Sequence, residues 1–225
     1  MASNWKDIWN KPKNINDAEL QNLINAAGFK TSGLIAEQLM EFVRGIADYM
    51  NMESNDSVYE VGCGSGSILS ILNGLDLSVG GLDYSESLLA ITKSLKITED
   101  LIHTEALNLD TNKKYDYVIA MSCFQYFPDI EYVEAVVDKM LDKSNKKSIA
   151  ILDINDSSME DIFLKIRRKA EPNYDEMYKD FKHLFIAKSF WIDYAKRNNL
   201  QYSITQQDIK GYTNSKFRYN VFLKK

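Results

Sequence analysis

The segment Val58-Tyr59-Glu60-Val61-Gly62-Cys63-Gly64-Ser65-Gly66-Ser67 decides the fold. Its first four residues are a largely β-branched and aromatic run that reads as a buried strand. The run breaks into three glycines at alternate positions. Ile68, Leu69, Ile71 and Leu72 then follow a helical period, with Gly74 where a helix would stop. The pattern is strand, glycine turn, helix. Such a turn needs glycine because the backbone takes φ > 0 and a ligand approaches with no Cβ in the way. The helix N-terminus behind it offers unpaired N–H groups to an electron-rich group. A tight turn that holds no ligand is the plainer alternative.

Outward from this segment the same unit repeats. Residues 79–84 form a second strand ending in Asp83 and Tyr84, and Ser85 caps a helix carrying Leu88, Leu89, Ile91 and Leu95. Residues 101–107 are a weaker third strand and turn, 115–121 a strongly apolar fourth, and 148–153 a fifth; Tyr132, Val133, Val136, Val137, Met140 and Leu141 mark the helix before the last of these. Strands alternating with helices imply a parallel sheet with helices on both faces. Right-handed crossovers gather the C-terminal strand ends on one edge, where ligands bind. Upstream, a short helix from Asn16 or Asp17 to Ala27 ends at Gly28, and Leu34, Ile35, Leu39, Phe42, Val43, Ile46 and Met50 share one face of a longer helix. Downstream, Ile162, Phe163, Ile166 and Ala170 predict a helix that ends before Pro172. A segment rich in Tyr, Asp, Lys and Phe follows over 172–186, then a helix over 189–198. Residues 201–206 and 217–223 alternate as two last strands, paired antiparallel through a turn around Gly211 and Asn214.

The 225 residues suit one domain with an added cap; 45% are hydrophobic and 26% charged, which marks a globular chain. No apolar run reaches the roughly 18 residues that span a bilayer. Residues 1–10 lack a signal pattern, so a cytoplasmic location is expected. The two cysteines, Cys63 and Cys123, fit reduced thiols. A net charge of −5 argues against a nucleic-acid backbone as partner. The basic cluster 165–169 reads as a solvated helix face. Trp5 and Trp9 stand four apart, on one helical face. They either staple the N-terminus to the body or form a lid. The expected division is an N-terminal helical cap over 1–50 and a main domain over 51–225, with 157–187 as a substrate-covering insertion.

Two ligand classes use such a turn. A dinucleotide frame, G-x-G-x-x-G, runs Gly62, Gly64 and then Ser67, so its third glycine fails. Read as E-x-G-x-G-x-G from Glu60 to Gly66, every position is filled. That resembles the first motif of the class I S-adenosylmethionine-dependent methyltransferases. The resemblance covers about residues 55–155 by motif and the rest by element order. It implies a Rossmann-like, doubly wound α/β sheet of seven strands, mostly parallel with an antiparallel last strand, under an N-terminal helical lid. It also implies S-adenosyl-L-methionine as cofactor, with S-adenosyl-L-homocysteine as product. Glu60, Gly62, Cys63, Gly64 and Gly66 would cradle its methionine part. Asp83 lies 23 residues after Glu60, close to the separation of about 20 expected when a βαβ unit returns to the same edge. Its carboxylate would take the ribose hydroxyls, with Tyr84 stacked beside the adenosine. A helix-capping acid before Ser85 is the alternative for Asp83. Glu105 and Ala106 match the adenine-reading positions, with glutamate where most relatives carry aspartate. Met121 opens the loop that faces sulfonium and substrate. That loop lacks the Asn-Pro-Pro-aromatic run of the DNA and protein-glutamine enzymes, which leaves a small molecule as acceptor.

Methyl transfer from a sulfonium needs positioning and water exclusion more than protein nucleophiles. An amine acceptor must only be neutral; a hydroxyl gains from a general base. His183 is the first candidate base, with Tyr126 and Asp153 behind it; a packed histidine and a turn-capping Asp153 are the competing readings. His103 reads as a strand residue. No metal is expected, because Asp153 and Asp156 lack a third oxygen ligand. The expected activity is methylation of a hydroxyl or amine of a small molecule, with sugars and nucleotide sugars among the classes relatives act on. A nicotinamide or flavin oxidoreductase, a non-catalytic cofactor-binding module and non-methyl chemistry on the same cofactor remain open. Oligomeric state is not readable.

Overall fold

The β-branched and aromatic runs become strands covered on both faces, which is why they read as nearly continuous apolar stretches. The computed structural model describes residues 5–13, 15, 17–179 and 181–225. Along the chain come α1 (Trp5–Trp9), α2 (Leu20–Ile24), α3 (Ala36–Tyr49), β1 (Ser57–Val61), α4 (Ser67–Asn73), β2 (Ser78–Asp83), α5 (Glu86–Ser94), β3 (Leu101–His103), β4 (Tyr115–Met121), α6 (Ile130–Lys143), β5 (Ser144–Asn155), α7 (Glu160–Ala170), α8 (Tyr174–Met177), α9 (Lys188–Arg197), β6 (Gln201–Gln206) and β7 (Arg218–Lys224). The seven strands lie in the order β3-β2-β1-β4-β5-β7-β6. β1 pairs in parallel with β2 and β4, and the parallel set continues to β3 on one side and β5 on the other. β7 runs antiparallel to both of its neighbours, β5 and β6. Chain order reverses direction at β1, so a crevice opens beyond the C-terminal ends of β1 and β4.

Alternation along β4 feeds two apolar layers. Tyr117, Ile119 and Met121 join Leu39, Val43 and Ile46 of α3 and Leu69 and Leu72 of α4 on one face. Val118 and Ala120 join Val133, Val136, Val137 and Met140 of α6 and Trp191 and Tyr194 of α9 on the other. Residues 20–50 therefore share a core with the sheet. Among the described residues no helix is long and apolar enough to cross a membrane.

Boundaries and connections differ from the sequence reading in four places. The first long segment is helical only from Leu20, then passes through a single wide turn, Asn25–Phe29, in which Gly28 takes φ 90°. Asp17 takes hydrogen bonds from the Glu19 amide and the Asn22 side chain, while Asn16 lies outside the described residues. α3 starts at Ala36, which leaves Ile35 extended and exposed instead of on the apolar face. β5 begins as soon as α6 ends. The link between β6 and β7 is no tight hairpin turn. It reaches across to the N-terminal segment, where the Thr213 amide donates to the Ser32 carbonyl at 2.8 Å.

Candidate active site

The glycine turn is built as its spacing requires. Gly62, Gly64 and Gly66 take φ of 78°, 52° and 79°, the left-handed region that side chains resist. The Gly62 and Cys63 amides both donate to the Leu82 carbonyl at 2.9 Å, which ties the turn to β2. A Cβ on Gly62 would lie 2.8 Å from the Cβ of Cys123, so this glycine lets the loop after β4 come close. Gly66 has a different role from the one expected. A Cβ there would sit 2.7 Å from Thr92 of α5, and Gly66 is not among the cavity-lining residues. It seats the turn against a helix, while Thr92 donates to the Gly64 carbonyl at 2.6 Å.

One cavity of about 300 Å³ lies at the crevice, and it gathers Glu60, Gly62, Cys63, Gly64, Asp83, Tyr84, Glu105, Ala106, Met121 and Tyr126. Asp83 accepts from the Gly64 amide at 2.8 Å and the Ser85 amide at 2.7 Å. Burial pushes its carboxyl up, and these backbone bonds pull against that. Glu60 is 2% exposed, and its Oε2 has no hydrogen-bond partner. Burial first, and Asp83 second, push its carboxyl well above the usual range. A buried, unpaired carboxyl of this kind holds its proton until a cation arrives. Ser85 caps α5 as expected, accepting from the Leu88 amide. At the far side Tyr132 bonds the Leu107 amide and reaches Glu105. Burial raises both cysteine thiols, with Asp83 and Glu60 adding to it, so neither is a ready thiolate.

The opposite wall is aromatic. Trp5, Trp9, Tyr126, Phe127 and Pro128 line it, with Phe29, Leu34 and Leu39 from the N-terminal segment. Trp5 is buried, its ring 4.9 Å from Tyr126, 5.3 Å from Phe181 and 4.7 Å from His183. Its indole N–H donates to the Lys182 carbonyl at 3.1 Å. α1 is thus the seam between this wall and the segment before α9.

Two candidate bases stand elsewhere. His183 is absent from the cavity wall and packs behind Trp5 and Tyr126, with Phe163 on its other side. Burial, with help from the Arg218 and Arg167 charges, pushes its imidazole down to about 3. The geometry is that of a packed histidine. Asp153 is wholly buried at the end of β5 and takes bonds from Ser122, Gln207, Tyr212 and Arg218. Its lone pairs are spent on that cluster, so it is a structural node and not a base. Tyr126 does line the cavity, but burial pushes its phenol up to about 12, which keeps it protonated. His103 bonds the Tyr84 carbonyl on the outside. Among the described residues no cluster of three or more His, Cys, Asp or Glu is placed to hold a metal.

A seven-stranded sheet with β7 reversed between β5 and β6, a glycine turn after β1, an acid closing β2 and another after β3 occur together here. Residues 59–146 match the methyltransferase domain family model. The fold is that of the class I S-adenosylmethionine-dependent methyltransferases. Among solved structures, the plantazolicin methyltransferase BpumL in complex with S-adenosylhomocysteine aligns with a TM-score of 0.66 and 20% identity, over 93% of this chain and 91% of that one. Magnesium protoporphyrin IX methyltransferase from Synechocystis PCC 6803 with bound S-adenosylmethionine aligns with a TM-score of 0.60 and 11% identity, over 100% of this chain and 92% of that one. A putative methyltransferase, 235L, of Invertebrate iridescent virus 6 is 26% identical over 184 residues, 79% of this chain. The match spans 63% of that viral protein's length. The cofactor expected from the sequence is thus the one with which methyltransferases of this fold have been solved. The segment that matches the family model carries Glu60, the glycine turn, Asp83, Glu105 and Tyr126, but neither Trp5 nor Trp9.

Proposed function

We propose that this chain transfers a methyl group from S-adenosyl-L-methionine to a small molecule, and that the acceptor atom is an amine or a hydroxyl. One observation carries the reading: a single cavity collects the positive-φ glycines, an unpaired Glu60 carboxyl, Asp83 and Glu105. The residues fit the cofactor. Glu60 supplies the acceptor that an ammonium needs, Asp83 retains lone pairs for vicinal hydroxyls, and the Glu105–Tyr132 side receives a base. When bound, the cofactor supplies an activated methyl group and a neutral thioether leaving group.

The protein's own part is to hold and to dry the site. Trp5, Trp9, Tyr126 and Phe127 exclude water from the wall beside Met121 and Ser122. Among the described lining residues none is a base at neutral pH outside the acids of the cofactor end. An acceptor that is nucleophilic without the protein's help, an uncharged amine, is therefore the better fit of the two. The aromatic wall suits a flat or ring-shaped acceptor, sugars included. In this reading residues 1–50 work as a cap over the cavity, and 157–187 back its aromatic wall, with Phe181 and His183 packed on Trp5.

The test has two stages. Calorimetric titration with S-adenosylhomocysteine should show one site per chain; no binding ends the reading. Labelled S-adenosylmethionine offered with matched amine and hydroxyl acceptors should then label the amines faster. A reversed preference would restore a protein base to the mechanism.

A further inference from the structure

The two tryptophans of α1 differ in one respect. The Trp5 indole N–H is satisfied by the Lys182 carbonyl, whereas the Trp9 Nε1 is buried without a partner, and Trp9 lines the cavity. An unsatisfied buried donor is destabilising, so its persistence at a fixed place calls for an acceptor that arrives with a ligand. The place is fixed from three sides. The ring edge rests on Gly28, where a Cβ would lie 2.7 Å from Cη2 and where φ is +90°. The ring stands nearly perpendicular to Tyr126 at 5.4 Å. The backbone is fastened to the start of α5: the Trp9 carbonyl accepts from Ser85 at 2.7 Å and Ser87 at 3.0 Å, and the Asn10 side chain accepts from the Glu86 amide at 3.0 Å.

The charge of the wall narrows the choice of acceptor. Glu60, Asp83 and Glu105 are its carboxyl groups, and among the described residues no Lys, Arg or His lines the cavity. A ligand carboxylate entering here must be met by neutral donors. Ser122 is committed to Asp153, and Tyr84 adjoins Asp83 at the nucleoside end. Trp9 and Ser67, on the first turn of α4, remain. The wall thus carries one orphan carboxyl oxygen, Glu60 Oε2, and two orphan donors, Trp9 Nε1 and the Tyr84 hydroxyl, the latter under the influence of Asp83. An α-amino acid terminus presents the complement of Glu60 and Trp9.

Resting on the cofactor reading above, we propose that Trp9 is a cofactor-binding residue whose indole N–H donates to the carboxylate of the cofactor's amino-acid tail. Binding then fastens the N-terminal segment over the cavity through the ligand itself. The experiment compares S-adenosylhomocysteine with its decarboxylated analogue, which keeps the amine and lacks only the carboxylate, on the native chain and on Trp9→Phe. The expected result is a loss of about tenfold or more for S-adenosylhomocysteine in the variant, the scale of one hydrogen bond to a charged group. The analogue should change by less than about twofold. In the native chain, labelled with ¹⁵N, the Trp9 indole N–H signal should move downfield with S-adenosylhomocysteine and stay in place with the analogue. Equal weakening of both ligands would mean the ring only packs, and the proposal would be overturned. It would also be overturned by unchanged binding in Trp9→Phe with a loss in Ser67→Ala. Failure of the native chain to bind S-adenosylhomocysteine at all would overturn both this and the reading it rests on.

Discussion

The two ends of the cavity are made in different ways. At the cofactor end, backbone geometry does the shaping: three left-handed glycines, two amides on the Leu82 carbonyl and two more on Asp83. At the acceptor end, side chains from distant parts of the chain do it; Trp5 reaches Lys182 across 177 positions of sequence. Local turns leave a recognisable spelling, because each glycine answers a local steric demand. An aromatic seam leaves none, because many combinations of rings fill the same space. One end is therefore fixed in kind, while the other is free to change acceptor.

The largest effect expected from this contrast is at Asp83. Asp83→Ala should weaken S-adenosylhomocysteine at least about tenfold by calorimetry, because it removes a charged acceptor at a buried site. It should also lower the melting temperature, since the Gly64 and Ser85 amides lose their partner. Wild-type affinity in this variant would erase the distinction between the ends. Next comes Glu60. Its carboxyl is held above the usual range in the free protein. A cationic tail should draw it back down, so ligand binding near neutral pH should release protons. The binding enthalpy should then vary with the ionisation enthalpy of the buffer, and Glu60→Gln should remove that dependence. A dependence that survives the substitution would place the released proton on another group.

At the other end, Tyr126→Ala should raise the KM for the acceptor several-fold and change S-adenosylhomocysteine affinity by less than about threefold. A larger effect on the cofactor than on the acceptor would move Tyr126 across the divide. The smallest effect belongs to His183. Its imidazole is pushed from 6.5 to about 3, so the folded chain binds fewer protons there than the unfolded one. This contribution leaves stability untouched above about 6.5 and erodes it as pH falls towards 3. His183→Phe should therefore gain stability relative to the native chain over that window, as measured by denaturant melts at several pH values. Its turnover number should barely change; a large fall would return His183 to the chemistry.

Legibility followed the same divide. The strand–turn–helix unit, Asp83 and Glu105 could be read because each lies within one short βα unit. The glycine requirement at Gly66 was legible, but what crowds it is Thr92, on the next helix. Asp153 looked like an available strand-end acid, because the Arg218 and Tyr212 that saturate it come from the other end of the chain. His183 looked catalytic because histidines are scarce and because it stands just before the helix that leads into the last strands. Its ring is walled off by Trp5, a residue 178 positions earlier whose place no local pattern announces. Trp9 was legible as a lid candidate, but its unpaired N–H exists only in three dimensions.

The position of β7 bears on how this protein is made. It follows the other six strands of the sheet in the chain, yet it sits inside the sheet, and among the described residues β6 has no other strand neighbour. Until residues 218–224 emerge, β5 shows an open edge and β6 has nothing to pair with, a combination that invites mispairing with other chains. A deletion of those few residues should therefore damage the nascent molecule more than removal of the whole of α1, and shortening from the front is the safer way to trim it.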